Sequence, residues 1–350
     1  MKVGDIEARP GTKAFGYLRT APSRSGLCPD IPIHVVAGAG SGPTLLVQAA
    51  IHGTEVVATV AILHFVRKVD PQCLRGTVIA VPVVNRVGFE LGERGSRIDG
   101  KDISQLFPGN PRGSVSEQVA HVYFHEVVAR ANAMIDFHAG GEAGYERYVL
   151  FTAERDPANL TDLERKRRKL VVAFGLDQAA FFPPDTFGTN RAEEAMATAG
   201  VVMIQPEFGG GTGWFKNGAD NVRDAERGIW NTLKALRMVD GPFEADGPLC
   251  TIYNASVVLW KPPVDGLFIR KKGFGEFVRA GDAYGIIQDP YTGRLLAEMP
   301  TPRDATVIPS GREWPIAGTT SIGILGTVDR VEDRRTADLY VSFEGRTGGT

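Results

Sequence analysis

Thr44-Leu45-Leu46-Val47-Gln48-Ala49-Ala50-Ile51-His52-Gly53-Thr54-Glu55 reads as a buried strand ending in a polar turn. Thr44 to Ala50 is a short, mostly apolar run, and from Gly53 to about Val66 the pattern becomes that of a helix. A strand passing into a helix is the repeating unit of an α/β sheet. Its turn falls at the strand's carboxyl edge, where open α/β sheets place ligands. His52 and Glu55 can converge on one point there.

The same alternation extends from residue 31 to about 240. Strands are predicted at Ile31 to Val36, Thr77 to Val83, Ala133 to Phe137, Tyr148 to Thr152 and Val201 to Pro206. Helices are predicted from Ser114 to Ala131, around Leu160 to Ala173, and from about Asn221 to Val239. Ser114 stands three residues before Glu117, the spacing of a capping box. The expected fold class is α/β, with a mixed, largely parallel sheet. A Gly/Pro/acid stretch, Asp240 to Pro248, then suits a linker. Beyond it, short β-like runs separated by turns (Thr251 to Trp260, Gly266 to Phe268, Ala283 to Gln288, Thr306 to Ile308, Thr319 to Leu325) predict a small all-β domain. The expected division is 1–242 and 250–345, with Gly345 to Thr350 as a frayed tail.

Composition removes several function classes. Of 350 residues, 43% are hydrophobic and 23% charged, which argues against disorder. Lys plus Arg (39) nearly balance Asp plus Glu (41), so no basic field exists to hold a nucleic acid. The most apolar stretch, Leu45 to Val66, is interrupted by His52, Glu55 and His64 and does not suit a membrane span. Cys28, Cys73 and Cys250 fit neither a disulfide framework nor a Cys-rich zinc site. The N-terminus is too polar for a signal peptide, so the expected location is cytoplasmic.

Two further strand ends carry chemistry. Asp136-Phe137-His138 follows one predicted strand, and Asp136, two residues from His138, shares its strand face and can orient the imidazole. Pro206-Glu207-Phe208-Gly209 closes another. Two histidines and two carboxylates at three strand ends suit a catalytic zinc, one per chain, with His52, Glu55 and His138 as ligands and a fourth position for water. Zinc lowers the pKa of that water, and Glu207 suits the general base. A carboxylate bonded to the backbone of the Gly-rich loop is the competing reading for Glu207. His121 and His125, four apart on a predicted helix, have no evident third ligand and read as a solvated face. His34 and His64 read as packing residues.

At these residues the sequence resembles the succinylglutamate desuccinylase/aspartoacylase family, relatives of the zinc carboxypeptidases. The resemblance rests on His52-Gly53-Thr54-Glu55, Phe107-Pro108-Gly109, Asp136-Phe137-His138 and Pro206 to Gly211. It implies a zinc-carboxypeptidase-like α/β/α sandwich with a C-terminal β domain, nearest in layout to the N-acetyl-diaminobutyrate deacetylase type. It also implies a zinc metallohydrolase acting on the non-peptide C–N bond of a small N-acyl amine or N-acyl amino acid. Arg97 matches the arginine that the family pattern implies at the oxyanion, and Arg94 is its rival. The sequence departs where the family has Asn-Arg before Phe-Pro-Gly: here Ser104 and Gln105 stand in the substrate-binding positions, and neither carries a charge for a carboxylate. Glu142, Tyr145 and Arg147 follow His138 and are further substrate-side candidates. The C-terminal segment resembles a biotinyl/lipoyl-like β barrel, but its turn, Tyr291-Thr292-Gly293-Arg294, lacks a carrier lysine. It reads as a scaffold or a contact in a homo-oligomer. Two alternatives stand beside the amidase: a catalytically silent zinc or small-molecule binding protein, and a zinc esterase or lactam hydrolase.

Overall fold

The computed structural model describes residues 1–23, 26–139, 147–152, 159–182, 191–209, 218–257, 262–308, 315–316 and 323–343. A short hairpin, β1 (Lys2–Val3) and β2 (Ile6–Glu7), leads to β3 (Thr12–Leu18), β4 (Ile31–Ala37) and β5 (Gly40–Gln48). Next come α1 (Val57–Lys68), β6 (Arg75–Val81), α2 (Arg86–Leu91), α3 (Val115–Glu126), β7 (Ala133–Asp136) and β8 (Arg147–Thr152). They are followed by α4 (Asp162–Ala173), β9 (Gln178–Phe182), α5 (Arg191–Thr198), β10 (Val202–Phe208) and α6 (Gly218–Ala235). The C-terminal strands are β11 (Leu249–Val257), β12 (Gly266–Arg270), β13 (Phe277–Val278), β14 (Ala283–Gln288), β15 (Leu295–Pro300), β16 (Ala305–Ile308), β17 (Pro315–Ile316) and β18 (Ile324–Asp333).

One large sheet runs in the order β3-β4-β6-β5-β7-β10-β8-β9-β11-β18-β16-β13. Its centre is parallel from β6 through β5 and β7 to β10, β8 inserts antiparallel beside β10, and β8, β9 and β11 are parallel again. Side chains alternate between two cores, as strand geometry requires. Leu45, Val47, Val78, Ala80, Ala133 and Ile135 face the core shared with α1, α4 and α6. Leu46, Ile79, Val81 and Met134 face the core shared with α3 and α5. This is the expected layered α/β arrangement, and every strand and helix predicted between residues 31 and 240 is present with shifted ends. Helix α1 begins at Val57 rather than just after Gly53, because the His52 to Glu55 turn closes on itself first: the Glu55 N–H donates to the His52 carbonyl at 3.0 Å. The N-terminal strands, α2, β9 and α5 had no expectation.

The composition break at 240–248 does not separate two sheets. Strand β11 adds to the main sheet alongside β9, and its Cys250 and Ile252 are buried in the same core as Phe65 and Ile229. The chain returns again near its end, where the Val341 N–H donates to the Ala235 carbonyl at 2.9 Å and Leu339 and Val341 join that core. The break itself is tied down: the Arg75 guanidinium grips Asp240 at 2.7 and 3.1 Å, and Asp246 accepts from Arg227 at 2.8 Å. A second sheet, β15-β14-β12-β17, covers a separate small core of Phe268, Tyr284, Ile287 and Met299. Among the described residues the two C-terminal layers do not join edge to edge into a closed barrel. Tyr291 stands almost fully exposed at the β14–β15 tip, where a carrier domain would present lysine. The tail from Gly345 lies outside the described residues.

Candidate active site

Ala50, just beyond β5, adopts a left-handed conformation (φ 50°), unusual for a residue with a side chain, and it redirects the chain so that His52 and Glu55 follow the strand end. Gly53 belongs to this turn for a steric reason. A Cβ there would stand 2.0 Å from the Gly88 carbonyl carbon and 2.2 Å from the Phe89 nitrogen of α2. The loop after α2 is bound to the same turn, because the Gly53 N–H donates to the Arg94 carbonyl at 3.2 Å. Gly53→Ala must therefore push backbone from backbone. It is expected to lower stability by about 1–3 kcal/mol, the usual range for overpacking, read as a shift of the urea midpoint at unchanged slope.

His52, Glu55 and His138 come together as expected, and each is buried. One ligand atom from each lies within 4.8 Å of the others. The His52 Nδ1 is 2.8 Å from Glu55 Oε1, the His138 Nδ1 is 3.0 Å from Glu55 Oε2, and the two Nδ1 atoms are 3.3 Å apart. Each imidazole turns its other nitrogen to a second carboxylate. The His138 Nε2 is 3.1 Å from Asp136 Oδ2, and the His52 Nε2 is 3.2 Å from Asp102 Oδ2. An Nε2–H that donates to a carboxylate leaves the Nδ1 lone pair facing inward. Two such nitrogens and a carboxylate aimed at one another are held together by shared protons or by a metal ion, and as a His₂Glu donor set they fit zinc. Burial disfavours charge on both histidines, yet the surrounding carboxylates win and raise both above the ordinary histidine value. Glu55, although buried, is held well below the carboxylate range by hydrogen bonds and charge from His138 and His52.

Asp102 is a site residue that the sequence reading did not assign. The Ser104 N–H and Oγ–H both donate to its Oδ1, at 3.0 and 2.7 Å, which leaves Oδ2 for His52. Ser104 is thus nearly buried and turned toward Asp102, and Gln105 Nε2 donates back to Ser104 Oγ at 3.3 Å. The loop that carries them is anchored on α3. Asp99 accepts from the Ser116 N–H and Oγ–H at 2.9 and 2.7 Å, and Lys101 pairs with Glu117 at 2.8 Å. Phe107-Pro108-Gly109 completes the anchor, because Gly109 (φ 86°) lies where a Cβ would strike the His121 backbone nitrogen at 2.1 Å.

The structure separates the two candidate arginines. The Arg97 guanidinium pairs with Glu93 at the surface and does not reach the cluster. Arg94 does, with Nη1 3.3 Å from Glu55 Oε1 and Nε 3.4 Å from Asp102 Oδ2, while its side chain stays 58% exposed. It stands at the mouth of the His52, Glu55 and His138 group, partly exposed to solvent. Glu207 is buried near the end of β10 and is the ladder partner of His138. The His138 N–H donates to the Pro206 carbonyl and the Phe208 N–H to the His138 carbonyl, both at 3.0 Å. Paired residues of a parallel ladder project to the same side, so Glu207 and His138 share a face. Arg147 faces away, bonded to Asp224 and, at 2.9 Å, to Asp246. Glu142 and Tyr145 lie outside the described residues. His121 and His125 pack ring to ring 4.4 Å apart on α3, with no third ligand grouped with them among the described residues. His34 stacks on Phe15, whereas His64 is half-exposed and lies 4.0 Å from Glu226.

A model of the succinylglutamate desuccinylase/aspartoacylase catalytic domain matches residues 41–236, which is more than half of the chain and contains every residue of this cluster. The chain belongs to that family. A curated relative, the N-alpha-acetyl-L-2,4-diaminobutyric acid deacetylase of Halomonas elongata, is 29% identical over 225 residues, 61% of this chain. The match spans 60% of that relative's length. A solved succinylglutamate desuccinylase/aspartoacylase from Rhodobacter sphaeroides superposes with a TM-score of 0.77 at 26% identity, covering 90% of this chain and 96% of that one. The fold is also that of the product-bound ectoine utilization protein EutE (DoeB) from Ruegeria pomeroyi, with a TM-score of 0.80 at 24% identity over 93% of this chain and 100% of that one. Among the described residues no helix is long and apolar enough to cross a membrane.

Proposed function

We propose that the chain is a zinc-dependent deacylase that cleaves the amide bond of a small N-acyl amine or N-acyl amino acid. The observation that carries this reading is the convergence of the His52 and His138 Nδ1 atoms on the Glu55 carboxylate, with Glu207 beside His138 in the ladder. His52, Glu55 and His138 hold one zinc per chain, which when bound polarises the scissile carbonyl and lowers the pKa of water. Glu207 takes a proton from the attacking water and passes it to the departing nitrogen. Arg94 supplies positive charge at the mouth of the site, where the developing oxyanion or an anionic substrate group would lie. Arg97 is the second candidate for this task. Its pair with Glu93 is exposed, and such pairs contribute about 0–1 kcal/mol, so a bound anion competes with it readily.

Ser104 and Gln105 bring no charge, and Ser104 is committed to Asp102. We therefore place the substrate preference away from the family's usual carboxylate contact, toward neutral amides or toward a carboxylate read by Arg94. Amine release by the zinc-loaded protein tests this with N-succinyl-glutamate, N-acetyl-aspartate and N-acetyl-diaminobutyrate, set against neutral amides of similar size. Arg94→Gln is expected to lower kcat/KM on the best substrate by about tenfold or more, the loss usual for a hydrogen bond to a charged group. Arg97→Gln is expected to change it less. The reverse order would give the oxyanion role to Arg97, and zinc binding without turnover across the panel would favour a silent binding protein.

A further inference from the structure

We propose that Gln48 and Tyr123 are positioning residues for the metal site, forming with Asp136 a buried relay that fixes the tautomer and aim of His138. The inference rests on the zinc reading above. Its structural origin is the register of the two central strands. Gln48 closes β5, Asp136 closes β7, and the two are direct ladder partners. Both share the strand parity of Leu46 and Met134, and so face the core that α3 covers. Tyr123 approaches from α3 and is fully buried, as is Gln48.

The hydrogen-bond directions in this chain are determined. The Tyr123 hydroxyl donates to Gln48 Oε1 at 2.5 Å, which orients the amide so that Gln48 Nε2 donates to Asp136 Oδ1 at 2.7 Å. Asp136 Oδ2 is left to accept from the His138 Nε2–H at 3.1 Å, and His138 then offers Nδ1 to the ligand cluster. Tyr123 also keeps its proton, because burial and the nearby Asp136 charge push its ionisation well above the ordinary tyrosine value. A glutamine and a tyrosine hydroxyl inside an apolar core are costly unless every group is paired. Among the described residues these are hydrogen-bonded to each other and to the carboxylate that orients His138. The face they occupy is otherwise built from residues such as Ile79, Val81 and Phe124, which need no polar partner. Asn132, the buried polar residue at the opposite end of β7, instead satisfies the backbone N–H of Thr44 at 2.7 Å.

The test is zinc affinity of the full-length protein, measured by competition with a chromophoric chelator, with Co²⁺ absorption as a second report on ligand geometry. Gln48→Met, close in volume and without the amide, is expected to weaken zinc binding about tenfold or more, the usual effect of losing an outer-sphere partner. Tyr123→Phe is expected to weaken it less. The double variant should be no worse than Gln48→Met alone, because the two groups act in series. Thr59→Val removes a buried hydrogen bond elsewhere, from Thr59 Oγ1 to the Pro82 carbonyl, and should lower the melting temperature while leaving zinc affinity unchanged. Two results would overturn the relay while the zinc reading stands: wild-type affinity in Gln48→Met, or additive losses in the double variant. A loss in Thr59→Val matching that of Gln48→Met would reduce the effect to general destabilisation and also overturn it. No zinc binding by the wild-type protein would remove both the relay and the zinc reading. If Gln48→Met does not fold, Tyr123→Phe with an unshifted Co²⁺ spectrum and unchanged affinity decides against the relay by itself.

Discussion

Glu207→Gln is expected to reduce turnover by a factor on the order of 10²–10⁴, the usual contribution of a general acid–base group, while zinc remains bound at one equivalent. The substitution is nearly isosteric, so β10 and its ladder to His138 should be undisturbed. The amide can neither accept the proton of the attacking water nor deliver one to the departing nitrogen. Zinc stoichiometry is the control that makes the result specific, because Glu207 is not one of the three grouped ligand residues. Assays of kcat and of metal content on the same preparation check both halves. Substantial turnover in Glu207→Gln would assign the proton transfer to another group. Loss of zinc together with activity would make Glu207 a ligand or a support of the ligands.

Much of this site could be read from sequence because His52, Glu55, His138 and Glu207 lie at or just past strand ends. A short apolar run ending in His52, His138 or Glu207 fixes where the side chain emerges before any tertiary contact is known. The same holds for the layers. Leu45, Leu46 and Val47 alternate between two cores, and a run apolar on both faces belongs in the middle of a sandwich. What could not be read depends on contacts distant in sequence. Helix α2 has only six residues, too short for a periodic signal, yet its Gly88 makes Gly53 obligatory and its trailing loop delivers Arg94. Residue spacing alone could not separate Arg94 from Arg97, which lie on one loop. The loop's anchorage through Asp99 and Lys101 to α3 accompanies Arg94 at the cluster and Arg97 at the surface. Likewise, Asp102 reaches His52 across fifty residues of chain, and no local pattern announces it. The composition break at 240–248 could not announce that β11 pairs with β9 and extends the main sheet, because strand pairing ignores composition.

Metal removal is expected to have a large effect on stability, with a defined dependence on pH. In the metal-free protein His52 and His138 hold protons more tightly than in the unfolded chain. A raised histidine contributes stability that is fully present below its unfolded value of about 6.5 and is lost as pH rises through the folded value. The opposite shift at Glu55 is constant over neutral pH, since its stabilisation is fully present above the unfolded carboxylate value and is lost as pH falls from there through a much lower folded value. Zinc requires the same Nδ1 atoms deprotonated, so its affinity rises with pH while the proton's contribution fades. The gap in melting temperature between zinc-loaded and chelator-treated protein should therefore widen from pH 6 to pH 8. At a free zinc concentration a thousand times the Kd, the added stability is about 4 kcal/mol. Differential scanning calorimetry across that pH range, with proton release followed by titration of zinc in weak buffer, measures both sides of the exchange. A gap that stays constant or narrows with pH would mean that zinc does not displace protons from His52 and His138. The inward-facing Nδ1 pair would then be a proton-held structural cluster, and the metal, if bound, would sit elsewhere.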